Sequence, residues 1–402
     1  MMLTRREFLK IAGLAGLATF SGGLLDSRNS IKAQSIVDPL LAGYGDLVNL
    51  LGDIQVHTNF SDGDNSPDFA LRYGRDTSKL DFCCITDHAE IMALDNFRAL
   101  PYYRTMPAKY DDPGKFYVLF GYEWTGWHFG NAHRCVYSLD SEIPVLASNQ
   151  PGSYDITDLW NGLAGHDVIT VPHCTVMEKR SPWWDPYNPD VERLVEFYSK
   201  WGSSLDATSP RPVPNGNIAY TVLNALAAGR HYGLICNSDS HFSRPGSRLQ
   251  EIRTDALKYP QPGITGVWAA SHTREGIYDA LKNRRCYGMT GTRVKLMFSV
   301  NRAVMGSEIQ SQSGAEIGFR ASTDQNITMV SILKVADGNV GSIYASAPNT
   351  PETEGTYNDS DLTGEAAYLL KVDLANSDMA VSSPVWVTKV AATPQGNLNP
   401  GR

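Results

Sequence analysis

The chain has 402 residues, a formal net charge of −8 and a sequence pI of about 5.6. Its length exceeds one ordinary core and suffices for two domains, one of them large enough to be an α/β barrel. The acidic balance, with no Lys/Arg block after the first ten residues, argues against nucleic acid or an anionic membrane surface as a partner.

The chain opens with MMLTRREFLKIAGLAGLATF: a charged start, a Gly/Ala/Leu-rich apolar run from Ile11 to Leu25, then small and polar residues. That is the anatomy of an export signal, and the run is too short and too Gly-rich to anchor firmly in a membrane. Arg5 and Arg6, just before Phe8 and Leu9, resemble the twin-arginine signal for folded cargo. Residues 1–33 are therefore expected to be removed, leaving a mature periplasmic or extracellular protein without a stable membrane anchor. An amphipathic N-terminal helix of the mature fold is the alternative.

From residue 44 to 292, short apolar runs alternate with amphipathic stretches. The first run leads into GDIQVHTNFSDGD (52–64). There Asp53, Gln55 and His57 share one face of a strand, and Asp62 follows in the loop. LDFCCIT (80–86) leads to Asp87 and His88, KFYVLFGYE (115–123) ends on Glu123, and His133 opens the run HRCVY. DVITVP (167–172) is followed by His173, RLVEFYS (193–199) carries Glu196, and YGLICNS (232–238) leads to Asp239 and His241. Helical patterns separate several of these runs, as in SPDFALRYGRDT, IAYTVLNALAAGRH and REGIYDALKNRR. Five or more such units predict a parallel sheet closed into a barrel. The segment KRSPWWDPYNPD (179–190) reads as a long connection over the barrel mouth.

After YGMTGTR (287–293) the runs are strand-like and broken by Gly, Asn, Asp and Pro, with no helix between them. This predicts an independent β-sandwich-like domain over 293–392 that supplies no metal ligand. Residues 347–365 read as a polar loop. Six cysteines, at 83, 84, 135, 174, 236 and 286, lie mostly in apolar runs without a C-x-x-C spacing, as buried small hydrophobes do.

In a (β/α) barrel the C-terminal strand ends converge on one mouth. Of nine histidines, five (His57, His88, His133, His173 and His241) fall at such ends. A lone strand-end histidine is more often a hydrogen-bonded core residue than a ligand, but the set together with Asp62, Glu123 and Asp239 calls for metal. Imidazole with carboxylate suits Zn, Mn or Fe, and several carboxylates let ions be bridged. His128 in GWHFGNAH is an alternative to His133, whereas His166, His231 and His272 read as structural or exposed. Glu196 either touches the site from behind its ligands or is a buried carboxylate paired with an arginine.

These residues also carry a resemblance. QVHTNFSDG, ITDHAE, GYEWTG, NAHRCVY, VPHC and SDSH follow the motif order of the polymerase and histidinol phosphatase (PHP) superfamily. GYEWTG, VEFYSKWGSS, CNSDSHFSRPG and REGIYDALKNRRCYGMTGTR are similar to its often exported branch. The resemblance implies an α/β fold, a distorted seven-stranded (β/α) barrel holding two or three divalent ions. One ion would take Gln55, His57, Glu123 and Asp239, a second Glu123, His133 and His173, a third Asp62, His88 and His241. Gln55 departs from the family's first histidine, and an amide oxygen is a weaker ligand than imidazole for Zn, Mn or Fe. Asp53 is expected to accept hydrogen bonds behind the ligands.

The expected activity is metal-dependent hydrolysis of a small-molecule phosphoester by a metal-bridged hydroxide, with Glu123 and Asp239 at the catalytic centre. Arg134 and Arg244 are candidates for holding the non-bridging oxygens, or else are loop-anchoring ion pairs. Two alternatives stay open: an amidohydrolase-like hydrolase, and an exported metal-holding binding protein whose β domain engages a glycan or partner.

Overall fold

The computed structural model describes residues 38–126, 133–177, 184–247 and 262–391. The export-signal pattern, His128 and residues 179–183 of the long connection lie outside the described residues.

The apolar runs of the first part form strands β1 (Val48–Asp53), β2 (Phe82–Cys84), β3 (Tyr117–Trp124), β4 (Arg134–Ser138) and β5 (Ile169–Pro172). They continue with β6 (Leu194–Ser199), β7 (Gly202–Ser203), β8 (Gly233–Cys236), β9 (Ile264–Ala269) and β10 (Cys286–Met289). The helical patterns form short helices whose ends the sequence specifies. Ser66 caps Pro67–Arg72 by accepting from Phe69 N. Thr273 caps Arg274–Lys282 through Gly276 N, with Glu275 in the first turn and Lys282 in the last, each matched to the helix dipole. That helix buries Ile277, Tyr278, Ala280 and Leu281 against the same cluster as Phe82, Leu119 and Val267.

The result is a mixed α/β architecture, parallel only in part. β1, β2 and β3 pair in parallel, as do β6 and β8 in a smaller three-stranded sheet with β7. β4 pairs antiparallel with both β3 and β5, and β9 antiparallel with β1 and β10. The β3–β4 departure from strict alternation has a simple cause. Residues 125–133 are too few for the crossover a parallel pair needs, about a dozen residues or more.

The remaining strands are β11 (Val294–Val300), β12 (Ala303–Val304), β13 (Glu308–Ser311), β14 (Ala315–Ala336) and β15 (Asn339–Ser346). They end with β16 (Thr350–Asp359), β17 (Glu365–Leu374), β18 (Met379–Ser382) and β19 (Val385–Lys389). β14 turns at Asp337 and Gly338, both at positive φ as a tight two-residue hairpin requires, and the chain returns along it as β15 and then β16. The stretch 347–365, expected to be a loop, thus holds a ten-residue strand. Its residues are mostly exposed or half-buried, and an edge strand that buries little shows no apolar period while its charges, such as Glu352 and Glu354, discourage edge-to-edge pairing.

The independent sandwich expected at 293–392 is also corrected. β18 pairs with β10 in the register Tyr287↔Ser382, so one sheet of sixteen strands runs from the α/β part into the β part. Both parts belong to one compact unit. Their cores are shared: Trp268, Tyr287 and Met289 pack with Phe298, Phe319 and Tyr368, and Phe197 and Leu234 with Leu369, Val381 and Trp386. The six cysteines are all free, and five are buried.

Asp378 ties this seam. It accepts from Thr292 N (2.9 Å), Thr292 Oγ1 (2.6 Å) and the Arg211 guanidinium (2.7 Å), with Asp378 itself buried. Asp378→Ala strands these donors and should cost about 2–4 kcal/mol. Calorimetry should then show one unfolding transition in the wild type, displaced as a whole to lower temperature in the variant. Two separate transitions, only one of them moved, would contradict a shared core.

Candidate metal centre

Backbone pairing brings the motif residues to one place. Parallel pairing of β2 with β3 continues as a bridge between His88 and Glu123, and Glu123 N donates to Asp87 O (3.1 Å). In the β3–β4 hairpin Trp124 faces Arg134, which sets His133 just beyond the register and beside Glu123. Past β1, His57 N donates to Ser240 O (2.9 Å), so the first motif lies against the loop that carries Asp239 and His241. Asp53 secures that contact by accepting from Ser238 N (3.0 Å) and Gly246 N (2.8 Å). Burial pushes the Asp53 carboxyl up to about 6, against these hydrogen bonds, which lower it.

Asp87 shapes the next loop. It accepts from Thr58 N, Thr58 Oγ1 and Ser61 Oγ, each at 2.6 Å. A side chain at Gly63 would place its Cβ 2.4 Å from His57 O, so only glycine lets the loop fold back this closely. The folded loop presents Asp62 to three imidazoles: His57 Nδ1 (3.5 Å), His241 Nε2 (3.2 Å) and His88 Nε2 (3.9 Å).

Glu123 is the hub of the other half. Its Oε1 lies 2.7 Å from His133 Nδ1, 3.2 Å from His173 Nε2 and 3.5 Å from His88 Nδ1. Its Oε2 lies 3.2 Å from His57 Nε2, which is also 3.1 Å from Asp239 Oδ1. These groups line a cavity of ≈ 230 Å³ together with Cys174, Met177 and Trp201. Asp239 takes up a left-handed backbone conformation (φ 51°), which aspartate tolerates better than most residues and which turns its side chain inward.

The donor atoms converge at ion-pair distances. Both ring nitrogens of His57, Glu123 Oε1 and Asp239 Oδ1 are buried and have no hydrogen-bond partner among the described residues. Buried polar atoms are nearly always paired, so four orphans facing one cavity mark a place built for a shared cation. His57, Asp62, His88 and His241 each offer one ligand atom within 4.8 Å of the others, as do Glu123 and His173 with Cys135, and Asp239 and His173 with Cys174. The donor set therefore fits divalent metal ions.

The carboxylates of the cavity are held ionised. Burial opposes ionisation of Glu123, yet His88, His173 and His133 hold it well below the usual carboxylate range. Against the same penalty, Lys200 and His57 depress Asp239, and His241 and His57 depress Asp62. Burial lowers His88 to about 4. Burial also opposes a charge on His57, but Asp239 and Glu123 outweigh it and raise the group well above its ordinary value.

The structure brings together His57, Asp62, His88, Glu123, His133, His173, Asp239 and His241, with Gln55 against His173. Arg134 is a correction. Its buried guanidinium bonds Glu192, which also accepts from Tyr232 OH (3.1 Å), so Arg134 braces β4 rather than facing the cavity. Arg244 does not line the cavity either; its backbone N donates to Ser240 Oγ (3.1 Å). His166 is exposed, and His231 sits between Glu308 and Glu365, stacked on Trp386. His272 packs edge-on against Tyr117. Glu196 is buried beside Gln55, and among the described residues no arginine pairs with it: burial and the Asp239 charge push it well up, while a hydrogen bond from Asn237 opposes them.

Sequence reasoning gave two residues beside the ligands no place at the metal centre. Trp201 Nε1 donates to Asp239 Oδ2 (2.5 Å), and Lys200 Nζ lies 2.5 Å from His241 Nδ1 and 4.9 Å from the Trp201 ring centre. Both follow β6, and the signal that could have found them is the polar Lys-Trp pair at the end of a fully apolar strand, YSKWGSS.

Comparisons with known proteins give limited likenesses. A family model described as "Protein of unknown function (DUF3604)" matches residues 229–355. The chain is similar to an uncharacterised protein of Chlamydia pneumoniae, 24% identical over 358 residues, covering 81% of this chain and 55% of that one. A counterpart in Chlamydia trachomatis is 25% identical over 358 residues with the same coverage, 81% and 55%. The chain thus spans about half the length of the curated relatives it matches. Among solved structures it is similar to a Bacteroides vulgatus two-domain protein "containing predicted PHP-like metal-dependent phosphoesterase", at 16% identity and TM-score 0.44, covering 87% of this chain and 95% of that one. A lesion-specific endonuclease of Pyrococcus furiosus shows 14% identity and TM-score 0.33, covering 58% and 56%.

Glu123 touches four imidazoles, so Glu123→Gln should weaken binding of at least one divalent ion by about 10–100-fold. Equilibrium dialysis against Mn or Zn followed by metal analysis measures this. Undiminished stoichiometry and affinity in the folded variant would contradict the hub role. Chelation of the wild type should also lower its Tm, because an ion bound to the native state alone stabilises it.

Proposed function

We propose that this protein is a metal-dependent hydrolase acting on small phosphoesters. The observation that carries the reading is the set of four buried donor atoms on His57, Glu123 and Asp239 that make no hydrogen bond among the described residues, facing a cavity lined by further imidazoles. His57, Asp62, His88, Glu123, His133, His173, Asp239 and His241 would hold two or three divalent ions, Zn, Mn or Fe, with Gln55 as an additional oxygen donor. Bound there, such ions polarise a phosphoryl oxygen and activate water, so no protein nucleophile is required.

The chain's own residues supply the rest. Glu123 and Asp239 keep negative charge fixed at the cavity floor, and Trp201 holds Asp239 by a hydrogen bond from its indole nitrogen. Lys200, beside His241 at the rim, brings a cation that suits an anionic ester oxygen, the part first assigned to Arg134 or Arg244. The cavity of ≈ 230 Å³ admits a phosphoryl group with a modest leaving group, with Met177 and Trp201 as apolar walls. The net charge of −8 favours a small substrate over a nucleic acid. The twin-arginine pattern of residues 1–33 supports export of the folded, metal-loaded protein to the periplasm or beyond.

Purified protein assayed with nitrophenyl phosphate and bis(nitrophenyl) phosphate, with added Mn, Zn or Fe, tests the reading. Turnover of at least one ester should appear, vanish on chelation and return with metal. Asp239→Asn should lower kcat by at least about 100-fold. Turnover that survives both chelation and Asp239→Asn would reject the mechanism.

A further inference from the structure

The end of β3 reads Glu123-Trp124-Thr125, and the alternation of side chains along a strand puts the two polar residues on one face while Trp124 turns into the core. Glu123 lines the cavity itself. Thr125 is buried and touches one of the cavity's imidazoles instead: its Oγ1 lies 2.7 Å from His88 Nδ1.

The two nitrogens of that imidazole face different surroundings. Nδ1 meets the Thr125 hydroxyl at hydrogen-bond distance and the Glu123 carboxylate at 3.5 Å, so a proton on Nδ1 has acceptors, whereas a lone pair there would be turned toward a carboxylate oxygen. Nε2 points the other way, toward Asp62 Oδ2 at 3.9 Å, too long for a hydrogen bond. Ligand bonds of about 2.0–2.2 Å from each side, meeting at an angle, span such a gap. His241 Nε2, 3.2 Å from the same Asp62 oxygen, stands at the third corner.

Thr125 is itself braced. Its carbonyl accepts from Ser148 Oγ, and Ser148 N donates to the buried Glu90 (2.7 Å), in the helix Ala89–Leu94 that begins directly after His88. The backbone that carries the hydroxyl is thereby tied to the segment that carries the imidazole.

We propose that Thr125 is a positioning residue for the metal centre: its hydroxyl oxygen accepts the Nδ1 proton of His88, fixes that tautomer and ring orientation, and leaves the Nε2 lone pair to an ion shared with Asp62 and His241. The inference rests on the metal-centre reading. Which nitrogen of a histidine ligates is set by the hydrogen bond the other one makes, and a partner of this kind both holds the ring and raises its basicity. One strand end thus supplies a ligand, Glu123, and two residues on the support for another.

The test compares two substitutions on the full chain. Thr125→Val keeps the shape and removes the acceptor; Thr125→Ser keeps a hydroxyl. Zn and Mn affinities, measured in competition with a chelator, should fall about 10–100-fold for at least one ion in Thr125→Val and recover in Thr125→Ser. In a His88→Ala background, which has no ring to orient, Thr125→Val should have no further effect. Histidine NMR spectra of the Zn-loaded wild type should show His88 with its proton on Nδ1 and none on Nε2, a readout that decides the matter alone should Thr125→Val fold poorly. Unchanged affinity in Thr125→Val, an equal loss in Thr125→Ser or in the His88→Ala background, or a proton on His88 Nε2 with zinc bound would overturn the positioning role and leave the metal centre standing. A wild-type protein that binds no ion would end both.

Discussion

One carboxylate organises the site: Glu123, buried at the end of a strand whose eight residues are all buried, with four imidazoles about it. An ionised group in such a place is costly unless positive charge meets it, from the imidazoles about it or from a bound cation. The surrounding arrangement follows from that requirement. β2 must run parallel beside β3 to bring His88, β4 must return antiparallel to bring His133, and the loop after β8 must fold over His57 to bring Asp239. The Asp53 and Asp87 carboxylates, which accept backbone and hydroxyl hydrogens, hold those two loops in place.

Much of this was legible in the sequence because the chemistry sits at strand ends. His57, His88, Glu123, His173 and Asp239 each lie at or just past the end of an apolar run, and neighbouring strands that run parallel, as β1, β2 and β3 do, bring such ends to one side. Less legible was anything set by partner choice. Arg134 looked free for substrate because nothing in the sequence shows that Glu192, 58 residues on, would take its guanidinium. Lys200 and Trp201 were not assigned to the metal centre because lysine and tryptophan carry no ligand signature, and only the fold sets them beside His241 and Asp239.

The C-terminal strands show the same limit from another side. Their alternation identified most of them as strands, but pairing between β10 and β18, ninety-odd residues apart, leaves no local mark. β16 was unreadable because an edge strand buries so little that its composition matches a loop. Continuity of the sheet also changes what the β part does. It closes the apolar face behind β6 and β8, with Leu369, Val381 and Trp386 packed on Phe197 and Leu234, so it supports the strands that carry Glu196 and lead to Asp239.

The central claim is that the cavity under His57, Glu123 and Asp239 is a metal site. Anomalous X-ray diffraction, recorded above and below the absorption edge of the ion used to equilibrate the crystals, tests it most directly. The account predicts anomalous peaks inside the cavity, within coordination distance of Glu123 and His57, that disappear below the edge. Crystals of the folded protein equilibrated with Zn or Mn that show no anomalous density there would contradict it.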